Sequence, residues 1–83
     1  MSAFTLLQFN REKWLAEKLD LPGDWDVGIT TIADRAERMR QHILANQLSE
    51  VVIAKSDKRG ALTARMCFER AYGVPLEAPQ EAL

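Results

Sequence analysis

The sequence predicts a mainly α fold: a small three-helix domain with a short β-hairpin between helices 2 and 3. Three observations carry this. Ile32, Ala36, Met39 and Ile43 recur at steps of four, three and four, one face of a 3.6-residue helix. A later helix is punctuated at both ends, by Thr63 at its start and by Gly73 and Pro75 at its close. Between the two, Val51-Val52-Ile53-Ala54 is a β-branched run too short for a helix and suited to a strand.

Residues 2–9 are apolar without a clean period and read as an extended or irregular strap. Asn10 is the first good N-cap, and Phe9 before it and Trp14 after it have the spacing of a hydrophobic staple. That helix runs over 11–19 and is stopped by Pro22-Gly23. In the loop 21–28, Trp25 stands between Asp24 and Asp26. A loop tryptophan plugs the edge of a core, or serves as an exposed anchor, since Trp is enriched at binding hot spots.

Thr31 caps the long helix, with Asp34 at the capping-box position and paired with Arg38 four residues on. Ile29, Leu44 and Leu48 widen its apolar stripe. The segment 55–60 is turn chemistry, the tip of a hairpin returning through Ala61-Leu62. In the last helix Ala64, Cys67, Phe68, Ala71 and Tyr72 form the apolar face, and Gly73 suits a left-handed ending. Residues 1–75 thus read as a single helical domain and 76–83 as a flexible C-terminal tail.

A domain of 83 residues has one core and buries only about 60% of the surface its unfolded chain exposes. Chains this small gain stability from disulfides, metals or oligomerisation. Cys67 is the only cysteine and His42 the only histidine, so a disulfide within the chain is excluded and the usual four-ligand set of a structural zinc site is not supplied. No cofactor is expected. Self-association remains, and the stripe of Ile32, Met39 and Ile43 predicts a homodimer at micromolar concentration. The start of the chain has no signal-peptide pattern and no apolar run approaches the ~20 residues that span a bilayer. The expected setting is cytoplasmic and reducing, with no membrane contact.

Net charge is −1, unevenly spread: residues 1–34 carry −3, residues 35–70 carry +4, and Glu77 and Glu81 supply the rest. Arg35, Arg38, Lys55, Lys58, Arg59, Arg65 and Arg70 form a candidate basic patch for an acidic partner, unless they pair with acids of the same chain. No set of residues specifies a reaction. His42 has no partner at helical spacing, and Cys67 falls on an apolar face, where a free cysteine behaves as a small buried hydrophobe. Asp20, Asp24 and Asp26 lack the closing glutamate of a calcium loop, and the four glycines are scattered.

The reading is a non-enzymatic module that binds a protein partner, as a regulator or inhibitor, with Ile32, Met39, Ile43 and Trp25 as interface residues. The alternative is an accessory nucleic-acid-binding protein using residues 55–70. Residues 71–74 are similar to the turn of a helix-turn-helix, but Pro75 and Pro79 interrupt the recognition helix that should follow. With so little positive field, binding to random duplex DNA should be no tighter than about 10 μM near physiological salt. Fluorescence anisotropy checks this; submicromolar binding whose salt dependence flattens when Lys58 and Arg59 become alanine would place the protein in the nucleic-acid class.

Overall fold

The computed structural model describes residues 4–58 and 60–77. In chain order it contains α1 (Leu6–Lys18), α2 (Ile32–Ala45), β1 (Val52–Ser56), β2 (Gly60–Thr63) and α3 (Ala64–Tyr72). The three helices and the hairpin between α2 and α3 are those the sequence predicts.

The start of α1 is a correction. The helix begins at Leu6 rather than at residue 11, so residues 6–9 of the expected strap are its first turn, while residues 2–3 lie outside the described residues. Thr5 is the cap: its Oγ1 accepts from the Gln8 backbone N–H at 3.1 Å. In return the Thr5 N–H donates to the Gln8 Oε1 at 2.9 Å, completing a capping box. Phe4, just before the cap, meets Phe9 edge-on with ring centroids 6.3 Å apart. That is a hydrophobic staple, made by Phe4 and Phe9 instead of Phe9 and Trp14. Asn10 lies inside the helix.

Both long helices end without glycine. After α1, Asp20 takes φ +59°, and after α2, Gln47 takes φ +56°. The next residues fold back, Leu21 N–H donating to the Ala16 carbonyl and Leu48 N–H to the Ile43 carbonyl. These are Schellman endings built on non-glycine residues. They stop α1 four residues before Pro22 and set Leu21 and Leu48 against the core.

Thr31 and Thr63 cap α2 and α3 as expected, each hydroxyl accepting from a backbone N–H three residues on. In the hairpin Ala54 pairs with Leu62, Lys55 with Ala61 and Ser56 with Gly60, and the register shifts between Val52 and Ala54. Such a ribbon is marginal alone, and β2 leads directly into α3 and packs against it.

The core joins Leu15 and Ala16 of α1, Ala36, Met39 and Ile43 of α2, and Cys67, Phe68, Ala71 and Tyr72 of α3. The α2 stripe is therefore covered inside one chain. Met39 and Ile43 are fully buried and are not on the surface expected to form a homodimer; Ile32 is partly exposed. The stripe needs no second copy, because α3 returns after the hairpin and lays Phe68 over it.

Leu76, the first residue of the expected tail, belongs to the core. Leu76 is fully buried, its carbonyl accepting from the Arg40 Nε at 2.6 Å. Arg40 is itself buried, reaches the Pro75 carbonyl as well, and places its guanidinium 5.5 Å from the Phe68 ring. Residues 78–83 of the expected tail lie outside the described residues.

Gly73 closes α3 at φ +73°, with its N–H donating to the Glu69 carbonyl. A Cβ added there meets no atom within 4 Å, so the only penalty of substitution is conformational. Gly73→Val should lower stability by about 1 kcal/mol or more. Thermal melts of the variant and parent that coincide would contradict this ending.

Candidate functional site

Glu12 lies one turn before Leu15 and Ala16 on the buried face of α1 and is 1% exposed. Such a carboxylate must be fully hydrogen-bonded. Arg35 from α2 donates to it through Nη2 at 2.6 Å and Nε at 3.0 Å, a two-point contact. Tyr72 from α3 donates its hydroxyl to Glu12 Oε2 at 2.6 Å. Arg35 also donates to Asp26 Oδ2 at 2.9 Å, and its guanidinium lies 5.3 Å from the Trp25 ring. One cluster thus draws on all three helices and on the loop 19–31.

Its electrostatics are self-contained. The Glu12 contact, opposed by burial and reinforced by Asp26, holds the Arg35 guanidinium well above its ordinary range, so it stays charged. Burial, then the bond to Glu12, pushes the Tyr72 phenol well above its usual value. Breaking a buried pair by removing one partner typically costs about 3–5 kcal/mol. The chemistry available to these groups is positional: they latch the Trp25 loop onto α1.

Two clefts flank α1. One of about 290 Å³ lies between α1 and the loop and is lined by Phe9, Lys13, Glu17, Trp25 and Asp26, with Glu12 and Arg35 at its base. The other, of about 230 Å³, is lined by Arg11, Trp14, Leu62, Cys67 and Arg70. Burial pushes the Cys67 thiol up, and the nearby Arg70 charge pulls against it.

The residues singled out from sequence are not brought to one place. Trp25 is half-buried against the core, while Met39 and Ile43 lie within it. Of the candidate basic patch, Arg35 is engaged with Glu12 and Asp26, and Arg65 bridges Glu50 and Glu77. Arg38 donates to the Trp25 carbonyl at 2.8 Å. Lys55 and Lys58 are exposed on the hairpin, Arg70 borders the smaller cleft, and Arg59 lies outside the described residues.

Sequence reasoning missed Glu12, Tyr72 as a hydrogen-bond donor, and Arg11 and Trp14 as residues of a cleft. A signal for Glu12 existed, because it shares the row of Leu15, Ala16 and Leu19, where an acid must be buried or paired. Among the described residues no three His, Cys, Asp or Glu side chains converge as metal ligands, and Asp26 points to Arg35 instead. No helix among them is long and apolar enough to cross a membrane.

A phenol whose value is raised on folding contributes stability in full below its unfolded value of about 10 and loses it as pH rises beyond that. The parent should therefore weaken more steeply above about pH 10 than Tyr72→Phe, which should be about 1.5–3 kcal/mol less stable near neutral pH. Urea titrations across that range read both effects; parallel alkaline profiles would contradict the Tyr72–Glu12 bond.

No family model, curated protein or solved structure matches this chain.

Proposed function

We propose that this chain is a protein-binding module that engages its partner through the first turns of α1. The observation that carries the reading is the exposure of Leu6 and Leu7, 75% and 57%, on the same helix that buries Leu15 completely. Phe9, also exposed, stands three residues from Leu6 and continues this apolar surface to the edge of the larger cleft. Grouped apolar side chains at a rim of charged residues are a usual mark of a protein contact.

The face is well prepared for recognition. The Thr5–Gln8 capping box and the Phe4–Phe9 staple fix its first turn, so little ordering entropy is lost on binding. Bound there, the module acts by occupying its partner's surface, the mode of a stoichiometric regulator or inhibitor. The nucleic-acid alternative has less support, since Arg35 and Arg65 already meet carboxylates.

Leu7→Asp leaves the core untouched and puts a charge on this face. The variant should keep the parent's melting temperature while losing about tenfold or more in partner recovery. Affinity capture from the source cells, parent and variant side by side with quantitative mass spectrometry, checks it. Identical partner profiles would remove the reading.

A further inference from the structure

The smaller cleft has a composition that the fold does not account for. Its interior is apolar, formed by half-buried Trp14 of α1, Leu62 of β2 and buried Cys67 of α3. Its exposed edge carries two guanidinium groups, Arg11 and Arg70. A third cation, Lys18, lies 5.5 Å from the Trp14 ring.

The arginines that hold the fold together, Arg35, Arg40 and Arg65, each meet a carboxylate. Among the described residues, no carboxylate lies within ion-pair distance of Arg11 or Arg70. Arg11 is instead steered to the cleft by donating Nη1 to the Arg70 carbonyl at 3.4 Å, in the last turn of α3. A guanidinium has five N–H donors, so this contact leaves most of them free. Two like charges bordering one cleft repel each other until an anion lies between them.

We propose that the groove between α1 and the β2–α3 junction takes an acidic peptide segment, an apolar side chain seated on Trp14, Leu62 and Cys67 and a neighbouring carboxylate clamped by Arg11 and Arg70. The inference rests on the protein-partner reading and names the chemistry of the segment bound. The volume selects this occupant: about 230 Å³ is below the roughly 300–1,000 Å³ usual for free small molecules and suits one anchoring side chain. The charge selects the neighbour, since guanidinium groups bind carboxylates in two-point geometry. Leu7, Arg11 and Trp14 stand at i, i+4 and i+7 on α1, so the groove continues the proposed contact face.

The experiment pans a phage-displayed library of random dodecapeptides on the parent protein and measures the enriched sequences as free peptides by calorimetry. The expected result is enrichment of sequences with Asp or Glu within three positions of Leu, Phe or Trp, and a shift of the Trp14 indole N–H resonance on binding. Arg11→Gln and Arg70→Gln should each weaken those peptides about tenfold at unchanged melting temperature, and Arg70→Lys should fall between. Enrichment without acids, affinities indifferent to both arginines, or no enrichment overturns the proposal. So does a short oligothymidylate that competes for the same groove. If a cellular partner depends on Leu7 but not on Arg11 or Arg70, this proposal fails and the partner reading stands. If peptides depend on the arginines while cellular capture ignores Leu7, the reverse holds.

Discussion

Glu12 has almost no water to fall back on, so every hydrogen bond its carboxylate makes must come from a side chain placed to give it. Arg35 and Tyr72 supply them, one from each of the other two helices. Replacing a buried ion pair by well-packed apolar residues of similar volume is often neutral or stabilising. A hydrophobic contact tolerates a slide along the helix, however, whereas a two-point guanidinium contact and a short phenol bond do not. The cluster therefore sets the register of α1 against α2 and α3. Through the remaining donors of Arg35 it also sets the position of Asp26 and Trp25, and hence the wall of the larger cleft.

Arg40 plays a related part at the other end of α2. Its guanidinium satisfies two carbonyls of the segment after α3, pairs with Glu37, and covers the Phe68 ring. A segment with Pro75 cannot form those bonds within itself by continuing the helix. Supplying donors from a neighbouring helix lets Leu76 complete the core without leaving polar atoms stranded, and no buried side-chain polar atom among the described residues lacks a partner.

How much of this was legible follows from where the information sits. The starts of α2 and α3, the hairpin and the Gly73 ending are local, carried by Thr31, Thr63, a β-branched run and one glycine, and the sequence shows them. The start of α1 is equally local, but Thr5 and Gln8 lie in an apolar stretch without a helical period, and Asn10 offers a competing cap. The endings at Asp20 and Gln47 were not legible, since left-handed residues other than glycine carry little signal of their own. The stripe of α2 shows in its spacing that it needs cover, but nothing local says whether α3 or a second copy provides it. The candidate sites suffered most. A charge becomes a patch or an internal pair only through tertiary contacts, and Arg35 and Arg65 became pairs.

The cluster at Glu12 also has a bearing on how the chain is made. Tyr72 follows Glu12 by 60 residues and Arg35 follows it by 23. During synthesis α1 emerges first, with an acid on its apolar face and neither donor yet available. The hairpin, by contrast, closes over a few residues and can form as soon as it appears. Closing the longer span carries the larger entropy cost, and contacts of that separation slow folding. Until α3 arrives, the nascent chain presents the very faces that the finished molecule hides, the interval in which a chaperone has most to hold.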